Sequence, residues 1–336
     1  VQEDNLMGQI LGCGGIMPFY EFEHMPGIDY LGRDIGNPCA IRPASSVAVQ
    51  MGRPFVLSEM FGCTGWNISP RYLKYIAEHQ FVNGVNRICQ HLHAYSIKGF
   101  RKRDYPPFFS EQNSWFKDYG QFNRYFKKLS YFLTQGEEDV KIGIVYPLAS
   151  GYETFTPDFK DKRIYEINSF VEDLSKRLSD ANIPYHYIDD TILNRYYFPS
   201  EKGLQVGQVC YSVVIIPEME NIPRRTYEIL SKAAECGCKI YTFNHSLCRI
   251  DGEQFDFSQF NKTCTDYRHV EDAVKNLRAY HLVDSNDTVV NTYHRTGDGF
   301  EIYFVLNRGK EGSFHVSAPK YPHLYEIDFA EDSVRT

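Results

Sequence analysis

Apolar and polar residues recur with two alternating periods along the first third of the chain. The run from Pro54 to Met60 predicts a strand, and a Ser69-Pro70 start followed by apolar residues at helical spacing predicts a helix that Gly84 closes. Val85 to Tyr95 predicts the next strand, and the apolar and aromatic residues from Trp115 to Leu133 predict another helix. The order strand, helix, strand, helix indicates a parallel sheet, which is either open or closed into a barrel.

A second alternating unit begins near Val140. Its predicted strands are VKIGIVYP, YHYID, VCYSVVIIP and KIYTF, with helical faces between them. This order is typical of a doubly wound, flavodoxin-like unit. Neither G-x-G-x-x-G nor G-x-x-x-x-G-K-[ST] occurs in it, so we expect the unit to be structural and to hold no nucleotide.

Residues 288–317 change character, because short β-branched and aromatic runs alternate there with glycine-containing turns. A closed eight-unit barrel needs about 250 residues, more than precede Val140. The predicted fold class is therefore α/β, with the C-terminal part of a (β/α)8 TIM barrel in 1–138, a flavodoxin-like (glutamine-amidotransferase-like) domain in 139–246, and a linker with the first strands of a β-sandwich in 247–336. On this interpretation the barrel begins upstream of Val1, which is then not the native N-terminus.

Charge and cysteine content narrow the classes of partner. With a net charge of -7 and a pI of about 5.9, the chain is not expected to be attracted electrostatically to nucleic acid or to an anionic membrane. No apolar stretch is long enough to cross a bilayer. The nine cysteines form no C-x-x-C pair, which favours free thiols and a cytoplasmic location.

Candidate chemistry centres on PFVLSEMFGCTGW, in which Glu59 is the only charged residue. Placing a carboxylate at the end of a buried strand costs desolvation free energy, so we expect Glu59 to have a function. On the next predicted strand, alternation places His91, His93 and Tyr95 on one face, where they would line a polar cleft with Glu59. The histidines could equally be satisfied core residues.

Other candidates lie upstream and beside Glu59. Glu21, Glu23 and His24 fall in a segment that mixes acids with aromatics, as carbohydrate clefts and exposed loops both do, and Trp66 offers a ring for a sugar face. No H-E-x-x-H, EF-hand or G-x-S-x-G motif supports a zinc, calcium or serine-hydrolase site.

The stretch SEMFGCTGWNISPRYLKYIAEHQFVNGVNRICQH resembles the α-L-rhamnosidases of glycoside hydrolase family 106. MPGIDYLG upstream, SWFKDYGQFNRYFKKLSYFLTQG with DVKIGIVYP, and the late YHR and EIYFVLNRG match in order. The layout also resembles, more distantly, family 42 β-galactosidases. The resemblance implies an inverting glycosidase with a (β/α)8 barrel in which Glu59 is the general base. The acid would lie on an earlier strand outside the chain, with Glu21 and Glu23 as the only nearby substitutes, and Ca²⁺ bound at the sugar site is a further implication with no matched ligands.

The function that this resemblance implies is hydrolysis of terminal α-L-rhamnosides, with a rhamnose-containing glycan or glycoside as the substrate. One alternative is a non-catalytic carbohydrate-binding or scaffolding relative of the family. Another is an open-sheet sugar-binding protein. A chain without its general acid would be nearly inactive alone, because a lone base leaves the departing oxygen unprotonated.

Overall fold

A computed structural model describes residues 5–33, 38–158, 160–286, 288–317 and 319–335. The chain has a mixed α/β fold, as the alternating pattern predicted. Among the described residues, no helix combines the length and apolar character that a bilayer crossing requires.

The first region contains a small parallel sheet. Its elements are α1 (Leu6–Gly12), α2 (Met17–Tyr20), β1 (Gly27–Tyr30), α3 (Arg42–Gln50), β2 (Leu57–Met60), α4 (Pro70–Phe81), β3 (Arg87–Gln90), α5 (Tyr119–Phe132) and β4 (Glu137–Glu138). The strands β1, β2 and β3 are neighbours in that order, and all pairs are parallel.

Helix α4 begins and ends where its sequence signals indicate. The Ser69 side chain accepts a hydrogen bond from the Tyr72 amide, which satisfies one free donor of the first turn. Beyond its end, Gly84 has a φ of +101°, and a Cβ there would lie 2.5 Å from the Cβ of Ser45. Only glycine fits this close approach.

The strands are shorter than predicted. β2 starts at Leu57 rather than Pro54, and β3 ends at Gln90 rather than Tyr95. β2 turns away at Phe61, whose φ is +79°, so no partner strand remains beyond the bond from the His91 amide to the Met60 carbonyl. The alternation expected through Tyr95 therefore ends at the start of a loop.

The second region contains a larger parallel sheet. Its elements are β5 (Ile142–Val145), α6 (Leu148–Thr154), α7 (Arg163–Asp180), β6 (His186–Ile188), α8 (Asp190–Tyr196), β7 (Tyr197–Phe198), β8 (Leu204–Val206), β9 (Val209–Tyr211), β10 (Val213–Ile215), β11 (Asn221–Ile222), α9 (Arg224–Glu235), β12 (Lys239–Phe243), β13 (Arg249–Ile250), β14 (Glu253–Gln254), α10 (Ser258–Asn261), β15 (Cys264–Tyr267) and α11 (Val270–Asn276). The sheet order is β15-β12-β10-β5-β6, the 2-1-3-4-5 order of flavodoxin-like sheets.

Two details of this region differ from the sequence prediction. The run VCYSVVIIP is split, because β9 pairs with β8 in a separate antiparallel sheet and only β10 joins the parallel one. The parallel sheet also continues beyond residue 246, the predicted end of the domain, since β15 pairs with β12.

The last region is antiparallel. Its strands are β16 (Val283–Asn286), β17 (Val290–Gly297), β18 (Phe300–Asn307), β19 (Ser313–Val316), β20 (Glu326–Asp328) and β21 (Ser333–Arg335). β17 and β18 form a hairpin, and β17 also pairs with β4 at the end of the first region.

A buried polar network joins the regions where β4 meets α3 and β6. Arg42 of α3 forms an ion pair with Glu138 at 2.8 Å, and His186 Nε2 lies 3.3 Å from the other oxygen of Glu138. Burial alone would raise the pKa of Glu138, but Arg42 and His186 lower it to about 2. The carboxylate therefore stays ionised at the centre of the junction.

Candidate active site

The register of β1, β2 and β3 places three polar side chains in one row. Asp29 lies opposite Glu59, and Glu59 lies opposite Cys89. Neighbouring strands are about 4.8 Å apart, and residues in register on parallel strands point to the same face. The two carboxylates are therefore immediate neighbours.

This row lies on the face of the sheet opposite to α4. On β2, Ser58 and Met60 are fully buried, and the Ser58 hydroxyl donates to Gln80 of α4. Leu57 and Glu59 alternate with them and are half-exposed. Glu59 thus projects from the face that α4 does not cover.

The carboxylates in the row have few hydrogen-bond or ion-pair partners among the described residues. Within the described residues, the Glu59 carboxylate has no hydrogen-bond or ion-pair partner, and one buried oxygen of Asp29 has no hydrogen-bond partner. Burial, and secondarily Asp29, raises the pKa of the Cys63 thiol; burial and Glu59 do the same for Cys89. Both thiols stay protonated, and each marks a carboxylate close by.

The loop after Glu59 has an unusual backbone that is tied to β1. Phe61 and Cys63 both have positive φ, at +79° and +64°, which side-chain-bearing residues rarely adopt. Arg33, after β1, donates through Nε to the Thr64 carbonyl at 2.6 Å and also bonds to Asn67. These contacts hold the loop over the carboxyl ends of the strands.

His91 packs on this loop, and His93 lies further out. A Cβ at Gly62 would lie 2.9 Å from the His91 ring, which also meets Tyr105 edge-on at 5.8 Å. Nδ1 of His93 lies 2.9 Å from the Phe109 carbonyl, and His93 is exposed. His91 therefore borders the carboxyl edge of the sheet, whereas His93 is held by the following loop.

The two aromatic candidates differ in exposure. Trp66 donates its indole N–H to the Lys102 carbonyl at 2.6 Å and packs against Phe108. Tyr95 is fully exposed, beyond the end of β3, so it lines no cleft. The prediction that alternation carries Tyr95 into the site is wrong, because the strand ends before it.

The upstream acids have structural partners. Glu21 is buried, pairs with Arg195 at 2.6 Å and accepts from the Tyr196 hydroxyl at 2.9 Å, both on α8. Glu23 accepts from the Gly27 amide at 3.2 Å, and exposed His24 follows it. Glu23 and His24 precede β1 and so lie at the amino-terminal edge of the sheet, opposite the edge that Glu59 approaches.

Asp29 lies in the same segment as Glu21, Glu23 and His24, but only the register of the strands brings it beside Glu59. The signal was present: IDY, SEM and ICQ occupy the last three positions of successive strands, so the middle residues align. Strand ends alone did not fix this register, because it depends on pairing between segments some thirty residues apart in sequence.

The calcium ion implied by the family resemblance is not matched by side chains in this row. Ca²⁺ takes six to eight oxygen ligands. In the described part of the chain, no group of three or more His, Cys, Asp and Glu side chains converges as metal ligands would.

A family model described as glycoside hydrolase family 106, α-L-rhamnosidase, matches residues 28–174, which include Asp29 and Glu59. No protein of curated function matches the chain in sequence.

Two solved structures share the fold. A rhamnosidase from Novosphingobium sp. PP1Y aligns at 16% identity with a TM-score of 0.63, over 87% of this chain and 30% of its own. A family GH42 exo-carrageenase from Bacteroides ovatus aligns at 13% identity with a TM-score of 0.51, over 76% of this chain and 35% of its own. This chain thus spans about a third of each structure's length. The resemblance to glycoside hydrolase family 106, the α-L-rhamnosidases, is confirmed for residues 28–174.

Proposed function

We propose that the chain is part of a glycoside hydrolase that cleaves terminal α-L-rhamnosides with inversion, and that Glu59 is the general base. The observation that carries the proposal is the row Asp29–Glu59, set on the uncovered face at the carboxyl ends of parallel strands. Loops at these strand ends carry the chemistry of α/β enzymes. The region matched by the family model contains the whole row.

In this proposal β1, β2 and β3 are consecutive strands of a (β/α)8 barrel whose interior is the uncovered face. The five-stranded sheet is a flavodoxin-like scaffold, and the antiparallel strands begin a third domain. At the switch point of that scaffold, between β5 and β10, the Ser150 hydroxyl accepts from the amides of Glu220 and Asn221. The segments that follow β5 and β10 are thus bonded to each other at the point where a nucleotide would bind, which supports a structural role.

Glu59 is suited to activate water because it is half-exposed and free of partners among the described residues. An ionised carboxylate at the rim of a cleft accepts a proton from a water that attacks the sugar's anomeric carbon. Asp29 lies in register with Glu59 on the neighbouring strand, about 4.8 Å away at the backbone, whereas the carboxyl groups of an inverting pair are roughly 6.5–9.5 Å apart. We therefore assign Asp29 to hold a sugar hydroxyl or the attacking water, and place the general acid on a strand outside this chain.

Glu21 and Glu23 are poor substitutes for that acid. Glu21 is committed to Arg195 and Tyr196, and Glu23 lies at the opposite edge of the sheet. The chain by itself should therefore bind a sugar at the row without hydrolysing a glycoside. A non-catalytic relative would behave in the same way. The two functions separate only in the full-length protein.

The test is hydrolysis of an aryl α-L-rhamnoside by full-length protein carrying Glu59→Gln. We expect kcat to fall about 10²- to 10⁴-fold with KM nearly unchanged, because the amide keeps the shape but cannot take a proton. Glu235→Gln, an exposed position on α9, is the matched control and should keep wild-type rates. Proton NMR of the first-formed sugar should show inversion.

Two results would contradict the assignment. Wild-type rates from Glu59→Gln would make Glu59 structural. Full-length protein that binds rhamnosides but hydrolyses none would favour the non-catalytic relative.

A further inference from the structure

Tyr105, in the loop between β3 and α5, is bonded to the loop that follows Glu59. Its carbonyl accepts a hydrogen bond from the Cys63 amide at 3.3 Å, and the next carbonyl, of Pro106, accepts from the Gly65 amide at 2.8 Å. The two loops therefore form one unit beyond the carboxyl ends of β2 and β3.

The backbone of Tyr105 is as unusual as that of the loop after Glu59. Its φ is +50°, in the left-handed region. Eight described residues that bear side chains have positive φ, and five of them are asparagine, aspartate or histidine, the types that enter this region most readily. The other three, Phe61, Cys63 and Tyr105, all lie in this unit of two loops. Backbone conformations of this kind persist only where surrounding contacts hold them, and they cluster at functional sites.

His91 links Tyr105 to the face that carries Glu59. It lies two residues beyond Cys89, the residue in register with Glu59, and its amide still bonds to the Met60 carbonyl at 2.9 Å. Alternation therefore places the His91 side chain on the same side as Glu59, about 7 Å further along the strand. The centre of the Tyr105 ring is 5.8 Å from the centre of the His91 ring. Tyr105 thus lies at the outer rim of the open face.

The Tyr105 ring has a surface that no neighbouring ring covers. The residue is 55% exposed. Its ring and that of His91 meet at an angle of 68°, so this contact covers at most one face of the tyrosine. Elsewhere in the described chain, no other aromatic ring or cation lies against it. The ring can therefore offer a face to a bound molecule.

The position of Tyr105 indicates which part of a glycoside it would meet. Where an enzyme removes a terminal sugar, that sugar lies at the carboxylates and the rest of the molecule extends toward the rim. The carboxyl groups of an inverting pair are roughly 6.5–9.5 Å apart, so the departing oxygen lies within about that distance of Glu59. His91 is already about 7 Å beyond the row, and Tyr105 lies past it. Tyr105 is therefore at the depth of the leaving group.

We propose that Tyr105 forms the leaving-group subsite, in which its open face contacts a ring-shaped leaving group. Aromatic faces bind flat, apolar ring surfaces without any need for charge, and both an aryl aglycone and the next sugar of a glycan present such a surface. The inference rests on the proposed function above, because it takes the terminal sugar to lie at Glu59.

The experiment measures binding to the full-length protein by isothermal titration calorimetry. The probes are the phenyl, cyclohexyl and methyl thioglycosides of α-L-rhamnose, which resist hydrolysis, share the terminal sugar and differ in the group beyond it. We expect the protein to bind the ring-bearing probes about two- to tenfold more tightly than the methyl probe. Tighter binding of phenyl than of cyclohexyl would identify the leaving group as an aromatic aglycone, and the reverse order would identify it as a sugar.

Tyr105→Ala should remove this preference by weakening the ring-bearing probes alone, with the methyl probe changed by less than about twofold. Tyr105→Phe should keep the preference, because it retains the ring. Tyr131→Ala, which removes an exposed tyrosine from α5, is the matched control and should change none of the three affinities.

Three results would overturn the proposal. Equal weakening of all three probes by Tyr105→Ala would mean that Tyr105 only shapes the loop. Unchanged binding of the ring-bearing probes would mean that the leaving group lies elsewhere, and an equal loss in Tyr105→Phe would assign the contact to the hydroxyl group.

Failure of the proposed function gives a different result. Full-length protein that binds none of the three probes has no rhamnoside site, and the leaving-group subsite falls with it. Protein that binds all three with no dependence on Tyr105 keeps the rhamnoside site and loses only the subsite.

Discussion

The two parallel sheets of this protein differ in how their faces are covered. In the five-stranded sheet, every residue of β5, β6 and β10 is buried, and the buried acids near it are bound by hydrogen bonds or by opposite charge. In the sheet of β1, β2 and β3, burial alternates along β2, and the two carboxylates on the half-exposed face have no ion-pair partner in the part of the chain that the structure describes. A sheet that is buried on both faces stabilises the fold. A sheet with one open face leaves its carboxylates accessible to water and substrate.

Glu138→Gln should give the largest loss of stability, because it breaks the ion pair at the junction of the regions. The variant leaves Arg42 buried without its counter-charge, and breaking a buried pair costs about 3–5 kcal/mol of unfolding free energy. Chemical denaturation measures the loss. Glu137→Gln, one residue earlier on the same strand and exposed, should change stability by less than about 0.5 kcal/mol.

A smaller loss by Glu138→Gln, matching that of Glu137→Gln, would mean that water reaches the junction and that Arg42 is solvated there.

Truncating one aliphatic side chain in each sheet tests the comparison directly. Ile144 of β5 is fully buried, so Ile144→Ala should cost about 2–5 kcal/mol. Leu57 of β2 is half-exposed on the same face as Glu59, so Leu57→Ala should cost about 1 kcal/mol. Equal losses at both positions would show that the face of β2 carrying Glu59 is packed.

Much of the fold follows from local patterns, whereas the composition of the site does not. The cap of α4 at Ser69 and the face on which Glu59 lies both follow from spacing along one segment. The Asp29–Glu59 row depends on register between strands, and the pairing of Glu21 with Arg195 joins residues 174 positions apart. The end of β3 likewise depends on the positive φ of Phe61, directly after its partner strand β2, which no pattern within β3 contains.

Asp189 and Asp190, after β6, should make the stability of the second region depend on pH in the direction opposite to Glu138. Burial raises the pKa of Asp189 to about 6, although the amides of Ile192 and Thr191 favour its ionised form. Burial also raises the pKa of Asp190 to about 7, against the Thr226 hydroxyl that bonds to it at 2.7 Å. Both values lie above the ordinary 3.8 of an unfolded aspartate.

Between pH 4 and about 7 the folded protein therefore holds protons that the unfolded chain has released. Stability contributed by these two groups is present at the acid end of that window and is lost as the pH rises through their folded pKa values. We expect Asp189→Asn with Asp190→Asn to remove this slope, because asparagine still caps α8 and still accepts from Thr226 but does not titrate. The measurement is the difference in unfolding free energy between variant and wild type from pH 4 to 7, with exposed Asp298→Asn as the control. The difference should move in favour of the variant as the pH rises, and a difference that stays constant across the window would mean that both carboxyls ionise in the folded protein as they do in the unfolded chain.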